Sequence, residues 1–189
     1  MTDTVLRQHA EQAFSDELAA LERLDDRHRP THWRLSPWAV RTYILGGTID
    51  DGTVISPKYI GAPRRVEIAI ATLATDRALL LLGVPGTGKS WLSEHLAAAI
   101  SGASTLLVQG TAGTEESAIR YGWNYAKLLV EGPTRSALVE SPVMRGMRSG
   151  ALVRIEELTR IPSEVQDALI TVLSEKSLPI PELGEEVQA

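Results

Sequence analysis

Apolar positions with a helical period dominate the start of the chain. Between residues 5 and 24 they recur every three or four positions and alternate with charged residues, which predicts one amphipathic helix. The apolar stripe consists of Leu6, Ala10, Ala13, Phe14, Leu18, Leu21 and Leu24. Pro30 ends the pattern because proline lacks a backbone donor and disfavours helical geometry in the residue before it. A linker is expected near residues 26–35.

Two shorter elements are predicted before residue 55. Ser36 followed by Pro37 is typical of an N-cap and a first-turn proline, so a short helix is expected up to about Leu45. Residues 48–55 contain two β-favouring runs around a turn rich in aspartate and glycine, which predicts a small hairpin. We therefore expect residues 1–55 to form an N-terminal helical extension with a small hairpin.

From residue 56 onward, helical segments alternate with short apolar runs. The predicted elements are a helix over 64–74, a buried strand over 78–82, a helix over 91–100, a strand over 105–108, a strand over 151–155 and a helix from Pro162 to Ser174. Strands separated by helices favour a parallel sheet with helices on its faces. The predicted fold class is α/β.

Composition excludes several classes of function. The chain has 189 residues, with 19 Lys and Arg against 24 Asp and Glu, and the net charge of -5 argues against general nucleic-acid binding. It has no cysteine, which excludes disulfides, thiolate metal sites and a cysteine nucleophile. No apolar run approaches the length that spans a bilayer, and no signal-like start is present, so we expect a cytoplasmic protein without membrane contact.

A phosphate-binding motif lies between the 78–82 run and the following helix. It matches G-x-x-x-x-G-K-[ST] and consists of Gly83, Val84, Pro85, Gly86, Thr87, Gly88, Lys89 and Ser90. Glycines let backbone N–H groups surround a β-phosphate at a helix N-terminus. Lys89 is expected to reach the β- and γ-phosphates, and the Ser90 hydroxyl to bind Mg²⁺. The alternative is a flexible glycine turn.

Two acidic residues end the 151–155 strand, at the edge where α/β sheets bind ligands. One carboxylate there can hold a magnesium-bound water, and the next can orient and deprotonate the water that attacks a γ-phosphate. By position, Glu156 is the metal-side residue and Glu157 the catalytic one. The alternative is a solvated strand end that caps the next helix.

Residues 83–90 together with Leu152–Pro162 resemble the MoxR group of AAA+ ATPases, and so does the helical run 162–169. The resemblance covers roughly residues 56–189. It implies a three-layer P-loop NTPase fold, in this case a partial AAA+ core behind an N-terminal helical extension. It further implies ATP and Mg²⁺ as cofactors and chaperone-like remodelling or maturation of a client protein driven by ATP hydrolysis. A hexameric ring and a von Willebrand factor A domain partner are also implied.

The same resemblance places the segment Tyr59-Ile60-Gly61 against the adenine ring. We therefore assign Ile60 and Gly61 to nucleotide binding. Trp91, which directly follows the phosphate motif, is assigned with them.

Three features depart from the family pattern. Glu156 stands where the family usually has Asp, and Arg154 interrupts a strand that is normally apolar. Arg154 either lies at a sheet edge, pairs with a neighbouring acid or marks a regulatory contact. The family also has a sensor strand, an arginine finger and a C-terminal lid, whereas residues 178–187 resemble the hairpin before the sensor strand. We therefore expect a truncated chain.

Other functions compete with hydrolysis. The main alternative is a nucleotide-responsive binding or assembly module with little or no turnover, which Glu156 and the expected truncation favour. A nucleoside kinase would need lid arginines near the end of the chain, and the last 29 residues contain none. A GTP site would need an N-K-x-D element, which is absent from the sequence.

Overall fold

Residues 7–189 are described by the structure, a computed structural model, and the chain divides into two units after Thr105. The first unit contains the glycine-rich phosphate motif. The second, Leu106–Ala189, contains the acidic pair Glu156 and Glu157. Each unit has its own core.

Helices dominate the first unit. Within the described residues they are α1 (Ala10–Ala13), α2 (Ser15–Leu24), α3 (Pro37–Leu45), α4 (Pro63–Leu73) and α5 (Lys89–Ser101). The strands β1 (Gly47–Thr48) and β2 (Val54–Ile55) pair in antiparallel fashion between α3 and α4. The hairpin predicted for this stretch is confirmed.

The predicted N-terminal helix is interrupted at Phe14. This residue has φ -122° and ψ 29°, outside the helical region, and separates α1 from α2. Its ring lies edge-on to Tyr43 and His95, with centroids 6.5 and 5.1 Å away. The expectation of one continuous helix is wrong here, because these contacts hold the aromatic ring in a position that the helical repeat did not encode. Leu6, the first residue of the predicted stripe, lies outside the described residues.

The predicted helix after the linker is confirmed as α3, and buried polar groups fix its start. Ser36 is the N-cap, and its hydroxyl accepts a hydrogen bond from the Ala39 N–H at 3.2 Å. The buried carboxylate of Asp25 accepts from the Ser36 N–H at 2.6 Å and from its hydroxyl at 2.7 Å. The end of α2 is therefore joined to the beginning of α3 by a capping network.

The core of the first unit forms where α3 packs on α2, α4 and α5, and where α1 packs on α5. Its largest fully buried apolar side chains are Leu18, Leu21, Leu35, Tyr43, Ile44, Ile55 and Ile100. The helix after the phosphate motif is therefore anchored by the N-terminal helices.

The buried strand predicted over residues 78–82 is wrong. The segment forms no strand, and Leu80 and Leu82 are 63% and 81% exposed. An apolar strand becomes buried only when neighbouring strands pair with its backbone and other elements cover its faces. Among the described residues of the first unit, the only strands are β1 and β2, which pair with each other.

The second unit alternates short strands and helices. In chain order they are β3 (Leu107–Gln109), β4 (Tyr121–Trp123), α6 (Tyr125–Glu131), β5 (Leu138–Glu140), α7 (Pro142–Ser149), β6 (Arg154–Glu156), α8 (Ser163–Glu175), β7 (Ser177–Ile180) and β8 (Glu185–Gln188). Three 3-10 turns cover Glu116–Ala118, Leu158–Arg160 and Pro181–Leu183.

Parallel pairing of β3 with β6 agrees with the expectation of a parallel sheet, although the 78–82 run expected in that sheet forms no strand. Leu107 lies opposite Arg154, and Gln109 opposite Glu156. The antiparallel pairs β4–β5 and β7–β8 complete the sheets of this unit, and β7–β8 is the hairpin expected near the end of the sequence.

The buried core of the second unit comprises Val108, Ile119, Val143, Met144, Ile161, Val165, Leu169, Val172, Leu178, Ile180 and Val187. None of the helices described in residues 7–189 is long and apolar enough to cross a lipid bilayer.

Candidate nucleotide-binding site

The glycine-rich segment forms an exposed loop that leads directly into α5. Gly86 and Gly88 have φ values of 81° and 75°, in the left-handed region that favours glycine. Gly88 is also the N-cap of α5. A side chain at either glycine would have open space but a strained backbone. The two glycines are therefore required by the loop conformation.

Lys89 folds back over this loop. Its ammonium donates to the carbonyls of Gly83 and Val84, both at 2.9 Å. The Thr87 hydroxyl donates to the same Val84 carbonyl at 2.9 Å. Phosphate oxygens are acceptors of the same kind as these carbonyls and carry negative charge in addition, so they bind an ammonium more strongly. The lysine is thus held where an anion on the loop can reach it.

The N-terminus of α5 adds favourable electrostatics. The helix is 13 residues long and has no acidic residue in its first turn. Its first N–H groups have no partner within the helix, and their partial positive charge attracts anions. Ser90, in that first turn, is exposed. Loop, lysine and helix start together fit a polyphosphate.

The segment that leads to Ile60 is held close to α5 by hydrogen bonds. The indole N–H of Trp91 donates to the carbonyl of Lys58 at 2.8 Å. Lys58 and Tyr59 both donate their backbone N–H to the carbonyl of Ile44, at 2.8 and 3.1 Å. Ile60 follows and is 93% exposed. The structure therefore brings Trp91 next to the residue that precedes the predicted adenine-side segment, while Ile60 projects into solvent.

The side chain of Lys58 is buried, with only 2% of it exposed. Its ammonium lies 2.6 Å from the Glu17 carboxylate and over the rings of Phe14 and Tyr43, at 4.3 and 4.7 Å from their centroids. Burial lowers the pKa of Lys58, and the hydrogen bond and charge of Glu17 act in the opposite direction. This buried ion pair fixes the start of the segment.

In the second unit, Glu156, the first residue of the acidic pair, already forms an ion pair within the protein. The guanidinium of Arg154 forms an ion pair with the Glu156 carboxylate, and the two side chains are only 10% and 19% exposed. Of the three interpretations of Arg154, the structure supports two: β6 is an edge strand of the two-stranded β3–β6 sheet, and Arg154 pairs with a neighbouring acid. No group of three or more His, Asp or Glu side chains in residues 7–189 is arranged to hold a metal ion. Mg²⁺ in nucleotide sites commonly binds through one or two protein oxygens together with phosphate and water oxygens.

Glu157 differs from its neighbour in backbone and exposure. It is exposed and has φ 54° and ψ 42°, the left-handed region that non-glycine residues seldom adopt. Its carbonyl accepts from the Arg160 N–H at 2.8 Å, which starts the 3-10 turn after β6. Strain of this kind is frequent at functional positions.

Gly110 supports this strand end, and sequence reasoning missed it. Its N–H donates to the Glu156 carbonyl at 2.8 Å. A Cβ at this position would lie 2.4 Å from the Glu157 carbonyl oxygen and 2.8 Å from that of Glu156. The signal available in the sequence was a glycine two residues after the predicted 105–108 strand, since glycine near a strand often marks a close backbone approach.

Comparison with known proteins agrees with this chemistry. Residues 78–189 match the family described as AAA domain (dynein-related subfamily). The chain is 50% identical over 173 residues to "Uncharacterized protein YehL" of Escherichia coli (strain K12), covering 92% of this chain and 47% of that protein. It is 28% identical over 144 residues to "Protein NorQ" of Paracoccus denitrificans (strain Pd 1222), covering 75% and 50%. The chain thus spans about half the length of these relatives.

These matches support the resemblance to MoxR-like AAA+ ATPases and a P-loop NTPase fold of the α/β class. Nucleotide binding, ATPase activity and oligomerisation are general properties of this class of domain. The loop around Lys89 and the strand ending at Glu156 both lie within the matched residues. The chain belongs to the dynein-related subfamily of AAA domains.

Proposed function

We propose that this chain binds ATP with Mg²⁺ and hydrolyses it as part of a MoxR-like AAA+ ATPase that remodels or matures a client protein. The observation that carries the proposal is the loop around Lys89. Its ammonium donates hydrogen bonds to two loop carbonyls, both at 2.9 Å. The same loop contains glycines in the left-handed conformation and leads into a 13-residue helix. These groups are suited to a chain of phosphates, and a neutral ligand would use few of them.

Each residue of the loop has a separate role in this proposal. The backbone N–H groups between Gly83 and Gly88 hold the β-phosphate, and Lys89 neutralises the β- and γ-phosphates. The Ser90 hydroxyl, with Glu156, is a ligand on the metal side. Bound Mg²⁺ supplies positive charge that stabilises the negative charge of the phosphates during transfer.

Glu157 is the proposed catalytic residue. Its carboxylate orients a water molecule and accepts its proton while the water oxygen bonds to the γ-phosphorus. The bond between that phosphorus and the bridging oxygen breaks, and ADP and inorganic phosphate leave. The exposed carboxylate and the strained backbone of Glu157 support this role.

The adenine ring is proposed to lie against Ile60 and Gly61, with Trp91 at the same end of the nucleotide. An exposed aliphatic side chain suits a flat, largely apolar base, because contact removes apolar surface from water. Ile60 is almost fully exposed and stands on a segment whose start is fixed by Lys58.

The wider assembly is proposed from family resemblance. We retain residues 1–55 as the N-terminal extension and 56–189 as the nucleotide-binding core. We further propose a hexameric ring in the cytoplasm and a partner that carries a von Willebrand factor A domain. General nucleic-acid binding and membrane contact form no part of the proposal.

A second function is favoured by one observation. Arg154 already neutralises Glu156, so the metal-side carboxylate is engaged by a protein cation. A chain that binds nucleotide but turns it over slowly would act as a nucleotide-responsive assembly module. Magnesium-dependent turnover separates this function from the first.

The test is ATP hydrolysis by the chain at several protein concentrations, with Glu157→Gln as the blank. We expect magnesium-dependent phosphate release that rises faster than linearly with protein concentration and is absent from the variant. Nucleotide binding without release above the blank would support the assembly module. Wild-type chain that binds neither ATP nor ADP would refute both functions.

A further inference from the structure

Trp91 connects the two ends of the proposed nucleotide site. It lies in the first turn of α5, one residue after Ser90, and its indole donates 2.8 Å to the carbonyl of Lys58. Lys58 in turn directly precedes the segment proposed to contact the base. A single side chain therefore joins the element that holds phosphate to the element that would hold the base.

The indole is fixed on the side of α5. Its ring lies 4.4 Å from the ring of His95 one turn later on the same helix, and the guanidinium of Arg7 lies 5.5 Å from its centroid. His95 is itself fully buried and shares a 2.9 Å hydrogen bond with the Tyr43 hydroxyl. The orientation of the indole is therefore set by packing that involves no nucleotide.

The Lys58 carbonyl, which accepts the hydrogen bond from Trp91, is also held in place by its surroundings. The Lys58 backbone is held by the Ile44 carbonyl, and its side chain by Glu17 and the aromatic rings described above. Two rigid groups joined by one hydrogen bond define the distance between the elements that carry them. Beyond Lys58, the ring of Tyr59 lies so close to Gly61 that a Cβ there would approach it to 2.6 Å.

We infer that Trp91 is a positioning residue for the base of a nucleoside triphosphate, acting through the Lys58 carbonyl on the segment Tyr59-Ile60-Gly61. This inference rests on the proposed function. It assigns to the Trp91 indole N–H the selection of a purine nucleotide over a bare polyphosphate. Phosphate affinity depends on the loop and Lys89, and the base contribution depends on Trp91.

The test compares binding of Mg·ATP and Mg·tripolyphosphate to the whole chain by calorimetry. The wild type is expected to bind both ligands, ATP more tightly, and Lys89→Ala to weaken both. Trp91→Phe should lower ATP affinity about fivefold, the effect of one lost hydrogen bond, and leave tripolyphosphate affinity unchanged. Trp38→Phe, which removes another indole of the same unit, is the matched control and should alter neither.

A second variant guards against misfolding of Trp91→Phe. Replacing Trp91 with 3-benzothienylalanine keeps both fused rings and removes only the N–H, and the same selective loss of ATP affinity is expected. Gly61→Ala, which must displace the Tyr59 ring, should also weaken ATP binding alone.

The outcomes separate the inference from the function on which it rests. Equal losses for ATP and tripolyphosphate, or no loss for either, in the Trp91 variants would overturn the inference while leaving the phosphate site intact. Equal wild-type affinity for the two ligands would also overturn it. A wild type that binds neither ligand, or binds both independently of Lys89, would overturn the proposed function and this inference together.

Discussion

The guanidinium of Arg154 lies against the carboxylate of Glu156, two residues later on the same strand. Alternate residues of a strand share a face, so β6 presents a cation and an anion side by side. Because both side chains are largely buried, their attraction is less screened than that of a surface pair. In the proposed site, Arg154 and Mg²⁺ would therefore compete for the Glu156 carboxylate.

Removing this competitor should increase the response to magnesium. In Arg154→Met we expect the Mg²⁺ concentration for half-maximal nucleotide binding to fall about fivefold, as for loss of an ion pair of about 1 kcal/mol. Titration of a fluorescent ATP analogue with Mg²⁺ measures it. Arg148→Met, which removes the more exposed ion pair with Glu140 in the same unit, is the control. An unchanged magnesium requirement would remove Glu156 from the metal side.

Lys89→Ala removes the cation from the phosphate loop. ATP affinity should fall about 10- to 100-fold, since a charge-assisted hydrogen bond is worth roughly 1.5–3 kcal/mol. Calorimetric titration with ATP measures the loss. Lys127→Ala removes an exposed lysine that donates to the Ser136 carbonyl, and it should bind ATP normally. Equal affinities of wild type and Lys89→Ala would refute the assigned phosphate site.

Gly110→Ala introduces a Cβ against the carbonyls of Glu156 and Glu157. The backbone must move to accept it, so the free energy of unfolding should fall by about 1–3 kcal/mol. Denaturant unfolding monitored by circular dichroism measures the change. Gly113→Ala is the matched control, because its Cβ would approach nothing closer than 4.0 Å. Similar stabilities of the two variants would show that the close approach at Gly110 carries no cost.

The Glu17 carboxylate compensates the buried ammonium of Lys58. Glu17→Gln should lower the free energy of unfolding by about 3 kcal/mol, because an uncompensated charge remains in the core. The more exposed ion pair of Arg41 with Glu67 serves as the comparison. Glu67→Gln should change the free energy of unfolding by less than about 1 kcal/mol. Thermal and denaturant unfolding of both variants measure the difference. Equal effects would mean that Lys58 is neutral in the folded chain.

Because of Tyr121, the free energy of unfolding is expected to depend on pH in the alkaline range. Its hydroxyl donates to Glu182 at 2.8 Å, and burial, followed by this hydrogen bond and the charge of Glu182, raises the pKa of Tyr121 to about 12. The folded state favours the neutral phenol, so this contribution is present below pH 10 and is lost as pH rises from 10 toward 12. The stability difference between wild type and Tyr121→Phe, measured by urea unfolding, should shrink across that interval. A constant difference would contradict the assigned pKa.

Local patterns in the sequence identified several elements that the structure contains. The glycine-rich motif before α5, the cap at Ser36 and the β7–β8 hairpin each depend on residues adjacent in the chain. Glycines with positive φ, N-cap side chains and turn residues act within a few positions, so their effect is visible without tertiary contacts. The order of elements predicted a parallel sheet, and β3 pairs with β6 in parallel, but which strands pair was not predicted.

Other features depended on residues distant in sequence. The helical repeat gave no sign of the break at Phe14, where ring contacts with Tyr43 and His95 hold the side chain. The apolar run 78–82 has the composition of a buried strand, but burial is decided by the elements that surround it.

By itself, the sequence determined the family, the glycine-rich loop before α5 and the positions of the acidic pair, because these follow from short local motifs. Only the tertiary structure showed that Arg154 pairs with Glu156 and that the Glu156 and Glu157 carbonyls lie close to Gly110. The same holds for the hydrogen bond from Trp91 to the Lys58 carbonyl. The physical reason is the same in each case. Hydrogen bonds and ion pairs act over about 3 Å, and the residues they join come within that range only when the chain has folded.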